Sequence, residues 1–121
     1  MTIQDIKNFK NNSSGFATLT AYDFTSAQIL DDAGIPLILV GDSASMTIYG
    51  YDTTVPISMS EILLVVRAVT RGAANSLVVA DMPFLSYQPS VEETIKNAGT
   101  LIKEGGASAV KLEGGVNIEK H

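Results

Sequence analysis

At 121 residues the chain is long enough for one domain, and 45% hydrophobic with 17% charged residues is an ordinary globular composition that argues against disorder. Thirteen acidic against eight basic residues leave a net charge of -5, which repels phosphate backbones and anionic membranes, so neither nucleic acid nor membrane is expected as a partner. The absence of cysteine removes disulfides and thiolate chemistry, and no apolar run approaches the roughly 20 residues of a membrane span. The start MTIQDIKNFKNNSSG has neither the basic opening nor the apolar core of a secretory signal, and a cytoplasmic setting is expected.

In chain order, Thr2 with Asp5, followed by Ile3, Ile6 and Phe9, predicts a short amphipathic helix, and KNNSSG is a loop linking it to the first strand. That strand is FATLTAY, residues 16–22, by its β-branched and aromatic content. TSAQILDDAG predicts a helix with Asp23 as its cap, closed by Gly34 at the position that favours a left-handed backbone. LILV, residues 37–40, is a second strand; after a loop, SMSEILLVVRAVTRGA predicts a helix opened by a Ser58/Glu61 capping box. LVVADMPF is a third strand, with Met82 and Phe84 expected as core or pocket wall. Ser90 and Glu93 repeat the capping-box offset, and the apolar positions Val91, Ile95, Ala98, Leu101 and Ile102 lie along one face of the next helix. ASAVKLEGG is a fourth strand.

Strands joined by helical crossovers of this length run parallel, because a parallel return needs a dozen or more residues. The fold class is therefore α/β. An open doubly wound sheet fits the length; a (β/α)8 barrel typically needs roughly 250 residues. In both, ligands bind at the carboxyl ends of the strands.

Three successive strands end on an acid: LILVGD at Asp42, LVVAD at Asp81 and AVKLE at Glu113. Two carboxylates about 5 Å apart at an effective dielectric of about 20 repel by about 3 kcal/mol, which a fold relieves by protonating one or binding a cation. Oxygen donors without Cys or a neighbouring His point to a hard ion such as Mg2+, which often takes one or two carboxylates and fills its other positions with water or substrate. Lys111 and Glu113, two apart, project to the same face of the last strand, where the ammonium could pair with an anionic substrate. Ser43 adds a hydroxyl and a backbone N–H where the second strand turns into its loop. The competing reading is that these acids cap the following helices, that Lys111 snorkels and that Glu113 is a solvated turn residue.

TAYD at 20–23, LVGDS at 39–43, GYDTTVP at 50–56, RGA at 71–73, VVADMPF at 78–84 and AVKLEGG at 109–115 resemble, in that order, the ketopantoate hydroxymethyltransferase family, from about Phe16 to Gly115. The resemblance implies a (β/α)8 TIM barrel of the phosphoenolpyruvate/pyruvate type. Residues 1–121 would be a single partial domain spanning about the first four βα units, with 1–15 as N-terminal helix and loop. It implies hydroxymethyl transfer from 5,10-methylenetetrahydrofolate to 3-methyl-2-oxobutanoate, giving 2-dehydropantoate for pantothenate synthesis through Mg2+-assisted enolate formation. It further implies Asp42, Asp81 and Glu113 at the Mg2+, with Asp42, Ser43, Asp81 and Lys111 at the 2-oxo acid. The general base would lie in the half that this chain does not span, leaving the isolated chain inactive, and large homo-oligomers, decamers in the family, are expected. Where the family usually reads Leu-Gly-Met after GDS, this chain has Ala44, Ser45 and Met46, which exchanges a conformationally free glycine for serine. Two other readings share the residues: a Mg2+-dependent lyase or mutase of another 2-oxo acid, and a non-catalytic half-barrel that works through its open edges.

Overall fold

The computed structural model describes residues 1–11 and 15–114. The elements are α1 (Ile3–Asn11), β1 (Thr18–Thr20), α2 (Phe24–Asp32), β2 (Leu37–Val40), α3 (Ala44–Thr47), α4 (Met59–Gly72), β3 (Leu77–Asp81), α5 (Val91–Lys103) and β4 (Ala109–Lys111). The four strands form one parallel sheet in the order β1-β2-β3-β4, each joined to the next by a helical crossover. Strand order equal to chain order is the arrangement of a winding barrel wall, where a doubly wound sheet would reverse direction part-way.

Registers place Ile38 beside Val78, and Val40 beside Ala80 beside Val110, on one face. Ile38, Val40, Val78 and Ala80 are buried there in one cluster with Ile62, Val66 and Val69 of α4 and Leu101 of α5. The alternate residues Leu37, Leu39, Val79 and Ala109 occupy the other face and are half-buried, and this face carries Asp81 and Lys111 at its carboxyl end. The sheet thus has a packed helix side and a side that ends in charge.

The helix starts obey the chemistry of the sequence. Asp23 accepts the Ser26 N–H at 2.6 Å at the start of α2. Ser58 and Glu61 complete a reciprocal capping box on α4. Ser90 accepts the Glu93 N–H at 3.1 Å on α5. Gly34 closes α2 with φ +82°, the left-handed conformation in which a Cβ would be strained. No helix among the described residues is long and apolar enough to cross a membrane.

The structure adds detail that the sequence patterns do not carry. The buried positions of α5 are Thr94 and Leu101, whereas Val91, Ile95 and Ile102 are exposed. A stripe of helical period has two flanks, and the packing of α5 on the sheet selects the one where the Thr94 hydroxyl bonds to the Tyr87 and Ser90 carbonyls. Met82 is buried but Phe84 is exposed, because Pro83 ends the ladder after Met82 donates its N–H to the Lys111 carbonyl. The loop after Ser43 contains the unpredicted single-turn helix α3, too short for a periodic signal. In α3 the buried Ser45 donates its hydroxyl to the Thr53 carbonyl at 2.6 Å, which ties the loop down. Helix α1 forms as expected with none of its residues buried. Part of KNNSSG, Gly115 of the last motif and His121 lie outside the described residues.

Candidate metal and substrate site

The carboxyl ends of β2, β3 and β4 bring the predicted polar residues to one rim. Asp81, the last residue of β3, stands in register with Lys111 across the β3/β4 pair, so their side chains share a face. The Lys111 ammonium lies 3.0 Å from Asp81 Oδ1 and 3.0 Å from Glu113 Oε1, bridging the two acids. Asp81 Oδ2 accepts the Asp42 backbone N–H at 3.1 Å, which fastens the β2 rim to the β3 rim. The Ser43 hydroxyl is hydrogen-bonded to the Tyr22 hydroxyl at the end of β1.

The electrostatics are unequal along this chain of groups. Burial of the Asp42 carboxyl raises its pKa above the ordinary value, and the negative charges of Asp81 and Glu113 push it the same way. The close pairing with Asp81 raises the pKa of Lys111, with Glu113 adding to it, so Lys111 holds its proton firmly. Asp81 itself is 5% exposed, and its Oδ1 accepts no hydrogen bond of good geometry; its one described contact is the ion pair to Lys111. A carboxylate oxygen can accept from more than one partner, so beyond this ion pair Oδ1 keeps acceptor capacity.

Mg2+ fits this donor set. The donors are carboxylate oxygens, the rim carries an excess of negative charge, and Asp81 Oδ1 has unused acceptor capacity. Gly41 lets the Ser43 hydroxyl and the Asp81 carboxylate approach the backbone closely: a Cβ there would lie 2.9 Å from Ser43 Oγ and 3.6 Å from Asp81 Oδ2. The expected convergence of Asp42, Asp81 and Glu113 as three ligands is not preformed, because no group of three acidic or histidine side chains among the described residues is arranged to hold a metal. Lys111 occupies the interval between Asp81 and Glu113, and Glu113 is exposed.

Two contributors escaped the sequence reading. Gly41 carries no signal beyond being a glycine after a strand. Tyr87 lies in a polar loop yet is buried, with its hydroxyl accepting the Glu113 N–H at 3.2 Å.

A sequence profile described as ketopantoate hydroxymethyltransferase matches residues 1–121. The chain belongs to the ketopantoate hydroxymethyltransferase family. A curated relative from Dehalococcoides mccartyi, named 3-methyl-2-oxobutanoate hydroxymethyltransferase, is 55% identical over 97% of this chain and 42% of its own length. A second, from Frankia alni and with the same name, is 51% identical over 97% of this chain and 39% of its own length. The chain therefore spans about two fifths of the length of the curated relatives it matches. Among solved structures, 2,3-dimethylmalate lyase, a member of the PEP mutase/isocitrate lyase superfamily, superposes with a TM-score of 0.71 at 15% identity, covering 93% of this chain and 39% of that one. That likeness establishes the fold: the four parallel strands are part of the wall of a TIM barrel, and the open doubly wound alternative is set aside.

Proposed function

We infer that residues 1–121 form, as one partial domain, the metal and 2-oxo acid side of a 3-methyl-2-oxobutanoate hydroxymethyltransferase, with 5,10-methylenetetrahydrofolate as the one-carbon donor and Mg2+ as cofactor. The observation that carries the reading is the buried Asp81 carboxylate, one oxygen of which has the Lys111 ion pair as its one described contact, on a rim that also brings the charges of Asp42 and Glu113 close. The names of the relatives support the activity, and a structure titled as phosphonopyruvate hydrolase in complex with oxalate and Mg++ shares the fold.

Asp81 and Asp42 would hold the metal directly and Glu113 through water. Bound there, Mg2+ supplies Lewis-acid polarisation of a keto oxygen. Lys111, held protonated by its acidic neighbours, offers a fixed positive charge to a substrate carboxylate or to negative charge that develops during reaction. The backbone N–H and hydroxyl of Ser43, steadied by Tyr22, orient the same anion, and the absence of a side chain at Gly41 leaves the Ser43 hydroxyl its place. The share of this segment in the reaction is binding and orientation.

The test is a chimera in which residues 1–121 replace the matching part of a full-length relative. Folate-dependent hydroxymethyl transfer is expected in the chimera and is expected to fall at least about a hundredfold on Asp81→Asn, since loss of one electrostatic partner of the reacting group commonly costs that much. A folded chimera that turns over the 2-oxo acid without folate, or that tolerates Asp81→Asn, contradicts the reading.

A further inference from the structure

The ligand reading demands that Lys111 and Glu113 stand still, yet they sit at the least supported part of the sheet. Strand β4 has three residues and a single strand neighbour among the described residues, and its ladder ends at Lys111. Leu112 packs against the core on the helix side, and Glu113 lies beyond the strand. Two contacts carry the chain past the end of β4. The Met82 N–H donates to the Lys111 carbonyl at 2.9 Å, and the Glu113 N–H donates to the Tyr87 hydroxyl at 3.2 Å.

Tyr87 is itself held by a loop that leaves it little freedom. The Ser86 N–H and hydroxyl both donate to the Pro83 carbonyl, at 3.0 and 2.6 Å, and Asn97 Nδ2 donates to the Ser86 carbonyl at 2.8 Å. The Thr94 hydroxyl donates to the Tyr87 carbonyl at 3.0 Å. Leu85 takes a positive φ of 69°, and its N–H is captured by Gln88 Oε1 at 2.7 Å. A bulky residue stays in that region only where its surroundings over-determine it. Tyr87 is only 5% exposed, so its phenol oxygen needs a protein partner, and the described partner is the backbone of a predicted ligand.

We propose that Tyr87 is a positioning residue for the rim: its buried hydroxyl pins the Glu113 backbone and so keeps the Glu113 carboxylate on the Lys111 ammonium and that ammonium on Asp81. The inference rests on the metal-site reading above but reaches a residue outside the ligand set. Core packing alone would be served equally well by phenylalanine; the hydroxyl is what reaches the β4 rim.

The experiment uses the full 121-residue chain, its Tyr87→Phe variant and Tyr51→Phe as a control, because Tyr51 is exposed and its hydroxyl bonds Glu61. Two quantities are read: exchange of the Glu113 amide by NMR, and affinity for Mn2+ alone, as a spectroscopic substitute for Mg2+, by electron paramagnetic resonance. In the wild type the Glu113 amide is expected to exchange slowly, and Tyr87→Phe should accelerate it while amides in α4 keep their rates. Mn2+ affinity should fall by about tenfold in Tyr87→Phe, the lower end of what loss of an outer-shell partner costs, and stay level in Tyr51→Phe. Unchanged Mn2+ affinity in a folded Tyr87→Phe chain overturns the proposal. Fast Glu113 exchange in the wild type overturns it too, without recourse to any variant. If the wild type binds no Mn2+ at all, the metal reading fails separately, and the Glu113 exchange rates in wild type and Tyr87→Phe still decide whether the hydroxyl pins the rim.

Discussion

Two buried aspartates stand at opposite ends of the sheet, and they are treated in opposite ways. Asp31, near the end of α2 and beside the entry to β3, accepts four hydrogen bonds: from the Asn75 N–H at 2.9 Å, Asn75 Nδ2 at 3.2 Å, the Ser76 N–H at 2.6 Å and the Ser76 hydroxyl at 2.8 Å. Asp81, at the exit of β3, has one oxygen on the Asp42 N–H and the other facing only an ammonium. Burial alone would raise the Asp31 pKa, but the Ser76 and Asn75 donors outweigh it and the net shift is downward. The amino end of the sheet uses its carboxylate to hold the α4–β3 turn against α2. The carboxyl end leaves acceptor capacity unused, as expected where barrel folds place stability at one end and chemistry at the other.

The contrast is broken most forcefully at the amino end. Asp31→Ala strands two backbone N–H groups of a half-buried turn, and chemical denaturation should show a loss of about 2–4 kcal/mol at neutral pH. Acid offers a gentler route to the same interaction. The folded pKa of Asp31 lies below its ordinary value of 3.8, so its contribution is complete above that value and is lost as pH falls through the lower, folded pKa. Stability followed from pH 5 downward should therefore decline, and Asp31→Asn should be less acid-sensitive than the wild type over that window.

At the carboxyl end the same class of change should spare the fold. Gly41→Ala introduces a Cβ that meets the end of the Ser43 side chain, which can rotate away, so stability should shift by less than about 1 kcal/mol. The displaced hydroxyl loses Tyr22, and binding of 3-methyl-2-oxobutanoate in the presence of Mg2+ should weaken severalfold by calorimetry. An equally small stability effect is expected for Asp81→Asn. Asparagine keeps an acceptor for the Asp42 N–H and removes a buried charge, while the partly exposed Lys111 retains Glu113, so unfolding should change by no more than about 1 kcal/mol. A large destabilisation there would recast Asp81 as a structural residue like Asp31.

The same two ends differ in how far they are legible in the sequence. Asp81, Lys111 and Glu113 are visible because strand ends and a two-residue alternation are local patterns, as are the caps at Asp23, Ser58 and Ser90. Asp31 is not, since a DD pair near a helix end looks solvated until the α4–β3 turn is folded onto it. Tyr87 and Gly41 are equally silent, because their roles depend on which backbone lies opposite them. Which part of the α5 stripe is buried has the same origin: helical period marks a stripe, but the neighbour that covers it is a property of the whole fold. Ser45 shows the converse: the resemblance leads one to expect a glycine here, and the structure accommodates the serine with one hydroxyl bond to Thr53.

The measurement that bears most directly on the central claim is a side-by-side calorimetric titration of Mg2+ with 3-methyl-2-oxobutanoate into Asp31→Asn and Asp81→Asn. The account predicts that Asp31→Asn, though less stable, binds as the wild type does at a temperature where it is folded, whereas Asp81→Asn, close to wild type in stability, loses Mg2+-dependent binding. Retained binding in Asp81→Asn, or its loss in a folded Asp31→Asn, would contradict it.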